Sequence, residues 1–400
     1  MTSAPTPTTV AARAEALLAG PRGRRMLLLL AIELDERERA AGRDSGNEHA
    51  LHATVHHASR DLDPEPRSPL VALQASVGDG PVVLPVMTVS DVAKHLRGVP
   101  TRQLGADLLM PCLSDAVDLA RYWQQPEGDD VLAAYPEIVE ELRRFARAVA
   151  GSPHADWWFT PLDAGAQWAV QHEGLPFVPP MEADRAALAE DRQLRRAREQ
   201  RVLEERPADP TANRSGEWWS RPPFAAPATT RATADGSPVK LWCTEDSFGW
   251  EELEAQRLGV PAGVRVFEID SADAWAELCA RFPFDTTGEV RHDWFRTTGR
   301  DGTWLVPDWG EVAREYDAVH LQVGAYLAAA GTAIPVPLEP AAGGGRRESP
   351  VSGSTAAASV IAGWDADETF WFSDRVRYLD SPVTWIADDA GGTRTWRVRV

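Results

Sequence analysis

Apolar residues along the first 150 positions recur three and four apart, the period of a helix with one buried face. Past about residue 217 they contract into short alternating runs separated by Gly, Pro and Asp, the pattern of strands and turns. In the leading part the spacing predicts helices from Thr8 or Thr9 to about 18, over about 23–41 and 46–62, over 91–97 with Ser90 as cap, and over 114–124 and 129–150. In the last of these Val131, Leu132, Tyr135, Ile138, Val139, Leu142, Phe145 and Val149 share a face, and Pro136 predicts a kink or a restart.

In the trailing part, runs rich in Val, Ile, Phe and Trp predict strands at 239–244, 264–269, 318–323, 360–364, 369–373, 383–387 and 395–400. Helices are expected at 250–258, at 272–281 behind Ser271 or Asp270, and from Pro307-Asp308 to about 316. Residues 326–330 continue a strand or turn. Residues 182–206 read as a highly charged helix with sparse Leu188, Leu194 and Leu203, the signature of an exposed or bridging helix. The Pro-rich stretch 207–228 marks a boundary. The fold class that follows is α+β. A mainly helical domain (1–150) leads through an irregular segment and charged connector helix (151–216) to a mixed domain (217–400) ending in a β meander. Its Gly/Ser/Pro/Ala-rich stretch 338–358 reads as a flexible loop.

Composition sharpens this division. Tryptophan is absent from the first 122 residues and then occurs sixteen times, from Trp123 to Trp396. An indole brings a large apolar face and one N–H, so it suits cores and ligand walls alike. Sixty acids against forty-one bases give a formal charge of −19, which argues against sequence-independent nucleic-acid or anionic-membrane binding. Only two of the bases are lysines, Lys94 and Lys240, an Arg bias that fits a GC-rich genome and weakens the reading of single arginines. Cys112, Cys243 and Cys279 are far apart and form no CxxC, as expected of reduced thiols in a cytoplasmic protein. Arg22, Arg24 and Arg25 before the apolar run Met26–Ile32 imitate an export leader, but Glu33, Asp35 and Glu36 stand where a cleavage site belongs. A buried amphipathic helix is the expected reading.

Four groups of residues carry candidate chemistry. His49, His52 and His56 would share one face of the 46–62 helix and could hold a divalent metal, against a simple polar face. The segment Arg291–Gly302 places His292, Trp294, Arg296 and Thr298 before Gly299 and Gly302, a loop that could hold a phosphate or carboxylate, against a salt-bridged hairpin. His320, among Val319, Leu321 and Val323, reads first as a core histidine and second as the best general base of the trailing half. The paired Trp157-Trp158 and Trp218-Trp219 share W-W-x-x-P and read mainly as packing, with one ring of a pair free to cap a pocket. No Walker loop, GxGxxG, GxSxG, HExxH or EF-hand loop occurs.

Trp218-Trp219-Ser220, Thr229-Thr230-Arg231, Arg265–Ile269 followed by Ala274-Trp275, Pro307-Asp308-Trp309 and Asp317–Leu321 with Tyr326-Leu327 resemble hypothetical proteins common in actinobacteria. The resemblance covers about a third of the chain and implies no known activity. The reading that follows is a ligand- or partner-recognition protein, binding a small molecule or a protein. Its aromatic pocket is lined by Trp218, Trp219, Trp294 and Trp309 and rimmed by Arg231, His292, Arg296 and Thr298. The alternative is a nucleotide-using transferase taking NAD, by analogy with ADP-ribosyltransferase folds, with His320 or Glu368 as catalytic group. Arg, Ser-Thr-Ser and Glu motifs of that class are not evident. No cofactor is indicated.

Overall fold

In the leading half, helices span Val10–Ala19, Pro21–Ala40, Leu51–Arg60, Val89–Gly98, Ala106–Asp118, Gly128–Ala133 and Pro136–Ala150. The computed structural model describes residues 9–43, 49–64, 86–101, 104–172, 174–179, 186–247, 249–337, 356–388 and 394–399. The local causes are visible at the helix starts. Thr9 caps the first helix by accepting from the Ala12 N–H. Pro136 sits at the opening of the last one, where its missing N–H costs nothing, so the expected interruption is a restart. Thr88, not Ser90, caps Val89–Gly98, because Thr88 and Asp91 close a reciprocal capping box.

The leader-like run lies inside Pro21–Ala40, whose Met26, Leu27, Leu30 and Ala31 are buried in the core. Arg22 and Arg25 are buried beside them and both reach Asp130. No helix among the described residues is long and apolar enough to cross a membrane.

The strands are β1 (Gln167–His172), β2 (Ala228–Arg231), β3 (Glu252–Gly259), β4 (Val266–Ile269), β5 (Pro283–Asp285), β6 (Leu305–Pro307), β7 (Ala318–Leu321), β8 (Ile334–Val336), β9 (Ala357–Ser359), β10 (Thr369–Trp371), β11 (Arg377–Tyr378), β12 (Val383–Asp388) and β13 (Thr395–Val398). Nine of them form one sheet in the order β13-β12-β3-β1-β2-β10-β7-β4, with β11 also on β3. Pairing is antiparallel except for β4 with β7, whose connection carries helices Ala272–Arg281, Thr287–Thr298 and Trp309–Glu315, as a parallel crossover requires. β5 pairs β6, and β8 pairs β9. The architecture is α+β, a helical leading region followed by a sheet-rich one.

Several local expectations are corrected. Where a helix was expected at 250–258, residues 252–259 form strand β3: Leu253 and Ala255, two apart, are buried on one face, and Leu258 is buried on the other. Residues 239–241 make a short 3-10 turn, and 326–329 belong to the helix Val323–Ala329. The segment 151–216 is more than a connector, since β1 lies in mid-sheet between β2 and β3. The charged helix Ala186–Glu205 buries Leu188, Glu199 and Val202 against Thr287–Thr298 and Trp309–Glu315, while Leu194 and Leu203 stay exposed. Of the expected 338–358 loop, residues 338–355 lie outside the described residues, and Ala357–Ser359 is β9.

The helical and sheet-bearing regions share one continuous apolar core. The helix Val323–Ala329 packs on both Val10–Ala19 and Pro21–Ala40. Gly20 permits this approach: a Cβ there would collide with the backbone of Leu327 and Ala328. Trp158, Trp275, Trp294, Trp304, Trp364 and Trp371 are fully buried, so much of the tryptophan enrichment is packing.

Candidate functional site

The expected rim residues do not converge. His292, Trp294, Arg296 and Thr298 lie on the helix Thr287–Thr298, not on a loop. Gly299, read as a turn residue, is the left-handed C-cap of that helix. His292 is wholly buried, and burial with the neighbouring Arg291, Arg206 and Arg296 holds its pKa down. Trp294 is buried and donates to the Trp218 carbonyl at 2.8 Å. Arg296 is spent on protein groups: it donates to the Trp123 and Arg214 carbonyls and pairs with Asp293 at 2.5 Å. Thr298 donates back to the Trp294 carbonyl and borders a separate cavity of about 420 Å³ beside Arg22 and Tyr122. Trp309 is buried among Trp275, Trp364 and Phe372.

Arg231 and His320 belong to an internal ion network. Arg231 gives its Nε (2.7 Å) and backbone N–H (2.8 Å) to Asp367, its Nη1 to Thr160 Oγ1 and its Nη2 to the Pro161 carbonyl. His320 bridges Glu268 (Nδ1, 2.7 Å) and Asp367 (Nε2, 3.4 Å). Burial disfavours the imidazolium, but the two carboxylates outweigh it and push the His320 pKa up to about 9. Burial likewise opposes ionisation of Glu268 and Asp367, and their bonds to His320 still hold both below the usual carboxylate value. A histidine already protonated at neutral pH, and only 1 % exposed, is a poor general base. Its expected catalytic role is therefore set aside in favour of a structural one.

The histidine face is also not a metal centre. The helix begins at Leu51, which leaves His49 off it. His52 and His56 are exposed; His52 pairs with Glu36 at 3.2 Å, and His56 packs edgewise on His57. Among the described residues no three His, Cys, Asp or Glu side chains are placed to hold a metal ion.

A different set of residues does converge. A cavity of about 560 Å³ opens over β1, between the Trp218–Ala228 segment and the turn 244–246. Aromatic rings wall it. Trp218 lies 4.7 Å from Trp123 and 5.8 Å from Trp219, and Trp219 continues to Phe224 at 6.2 Å. On the other side Trp250 meets His172 edge-on at 4.4 Å, and Phe177 lies tilted against Tyr378 at 5.6 Å. Ser220 fixes the wall by exchanging hydrogen bonds with Ala362, through its N–H (2.8 Å) and to its Oγ (3.0 Å). Gly363 adopts φ +73°, and a Cβ there would come within 2.5 Å of Trp219 Cβ, so glycine is what lets the ring pass.

The floor is charged. Lys240 pairs with Asp365 and with Glu368 at 3.0 Å. Asp365 accepts the Glu245 N–H at 2.9 Å and gives its own N–H to Glu368 at 3.1 Å. Glu245 accepts from the Tyr326 hydroxyl at 2.8 Å, and Tyr326 meets Tyr122 at 3.2 Å. Burial and the nearby Asp365 push the Glu245 pKa well up. Burial also raises Glu368, with Lys240 acting against it. Burial opposes the Lys240 charge, but Asp365 and Glu368 outweigh it and hold the ammonium protonated.

Of the residues expected at a site, Trp218, Trp219 and Glu368 line this cavity; Arg231, His292, Trp294, Arg296, Trp309 and His320 do not. Lys240, Glu245 and Asp365 were not expected. Lys240 carried a signal, as one of two lysines among forty-one bases. Fold and cavity together define an α+β protein with an aromatic-walled, acid-rich cavity. The chain matches no protein-family model, and no curated protein and no solved structure matches it. These comparisons assign the chain to no family.

Proposed function

We propose that this is a ligand-recognition protein whose binding site is the cavity beneath Trp218, Trp219 and Phe224. The observation that carries this reading is the combination of aromatic walls with polar groups converging on one floor, the usual build of a small-molecule site. Exposure at the mouth supports it: Phe224 is 68 % and Leu175 55 % exposed, apolar surface that a bound ring would cover. The three cysteines, all buried and unpaired, fit the expected cytoplasmic setting. Thermal-shift screening of a metabolite panel tests the reading. Compounds that stabilise the wild type should lose that effect in Trp219→Ala, while His52→Ala, outside the cavity lining, should keep it. Equal shifts in wild type and Trp219→Ala for every stabilising compound would defeat the assignment.

The nucleotide-using transferase remains the second reading, favoured by Glu368 on the cavity floor with a raised pKa. Incubation with labelled NAD should then show hydrolysis or transfer that Glu368→Gln abolishes. Intact NAD would discard it.

A further inference from the structure

We infer that the ligand of this cavity is an organic cation, an ammonium group on a ring or apolar body, with its head against Glu245 and Glu368 and its body against Trp219 and Phe224. The inference rests on the reading of the cavity as a ligand site and adds the chemical class.

The first argument is charge at the floor. Three carboxyls, Glu245, Asp365 and Glu368, are tied together there through the Asp365 hydrogen bonds. One ammonium, Lys240, bonds two of them. The fourth acid of the lining, Asp246, is engaged by Arg121 at 3.1 Å. Arg221 lies 4.0 Å over the Phe224 ring and acts on Glu368 through its charge alone. The three floor acids thus outnumber Lys240 and Arg221 by one, and Glu245 is the one that neither base bonds. Its Oε1 takes the Tyr326 hydroxyl, while its Oε2 is buried with no hydrogen-bond partner. A buried acceptor left open on a cavity floor is costly unless a donor comes to it.

The second argument is the walls. The faces of indole and benzyl rings carry negative electrostatic potential, which attracts ammonium groups and repels anions. The whole chain, at −19, draws cations in the same sense.

The third argument is Lys240 itself. In a chain that uses Arg almost throughout, the floor holds a compact alkylammonium between two carboxylates. It is an intramolecular example of the group inferred for the ligand. A neutral polyol would hydrogen-bond to the same acids but would leave the extra carboxyl uncompensated.

A pH signature follows. Glu245 faces Asp365 and Glu368 on one side and the Tyr326 and Tyr122 hydroxyls on the other, with Lys240 reaching only the first two. Burial and those acids push its pKa well up in the empty site. An arriving cation favours its anion, so the shift relaxes on binding and affinity tightens as pH rises.

Calorimetry on the full chain tests this with three probes sharing one ring: benzylamine, benzyl alcohol and benzoate. Benzylamine should bind at least about tenfold more tightly than benzyl alcohol, and benzoate should not bind. Benzylamine affinity should rise with pH, and the rise should vanish in Glu245→Gln. If Glu245→Gln melts early, Glu368→Gln supplies the second variant, with a loss of several-fold expected. Equal binding of benzylamine and benzyl alcohol, both abolished by Trp219→Ala, would overturn the cation and leave the cavity reading standing. Binding of any probe that Trp219→Ala leaves unchanged, or no binding of the three, would overturn both.

Discussion

Asp367 and Glu368 are consecutive, yet they serve two charged networks of opposite character. Asp367, held at φ +63°, turns inward to Arg231, Thr230 and His320. Glu368 turns to Lys240 and the cavity. The first network sets two acids, Glu268 and Asp367, against two bases, and its carboxylates are pulled below their usual pKa. The second sets three carboxyls against one bonded ammonium, and Glu245 and Glu368 are pushed above theirs. Buried charge that is matched and fully bonded is structure. Buried charge in excess, beside a cavity, is what a partner from outside can complete.

Breaking the closed network should cost most. Asp367→Asn tolerates the left-handed backbone but strands Arg231 and His320, so chemical denaturation should report a loss of about 3–5 kcal/mol. The same network sets a pH dependence. His320 stays charged in the folded chain up to about pH 9, against an ordinary value of 6.5. Its stabilising contribution is therefore complete below about pH 6.5 and disappears as pH rises through about 9. The depressed Asp367 and Glu268 contribute above the usual carboxylate range and lose that contribution on acidification. Melting temperature against pH should fall on the alkaline side, and His320→Gln should flatten that limb.

On the cavity side, Gly363→Ala combines a left-handed backbone with a collision at Trp219, and should cost about 1–2 kcal/mol in denaturation while weakening ligand-induced stabilisation. Arg296→Ala removes the bonds to the Trp123 and Arg214 carbonyls and to Asp293, and should lower stability by about 1 kcal/mol with a smaller loss of ligand shift than Trp219→Ala. His52→Ala, on an exposed face, should leave the melting curve where it is, with or without added zinc.

Sequence periodicity reached much of this. The helix Ala272–Arg281 with its Ser271 cap, the restart at Pro136 and strand β4 all follow from local signals, because capping and amphipathic spacing act within a few residues. Strand β3 was hidden because Glu252, Glu254 and Arg257 give the segment a helical composition, and only pairing to β1 and β12 settles its period. The segment 291–302 misled for a sharper reason: Gly299 terminates a helix with the same residue that would turn a hairpin. Trp218 and Trp219 drew notice as rings beside polar sequence, and Glu368 only through the analogy with ADP-ribosyltransferase folds. Lys240, Glu245 and Asp365 meet only after folding, across more than one hundred residues, and no spacing could announce them.

The contact between the helix Val323–Ala329 and the first two helices sets a timetable. The helices carrying Leu17, Met26 and Leu27 leave the ribosome roughly 300 residues before the helix that packs on them, about 15–60 s earlier at ordinary elongation rates. For that interval the nascent chain shows an apolar stripe that its own remainder must eventually cover. A chain released before residue 329 would leave bare the part of those two helices that this late contact covers.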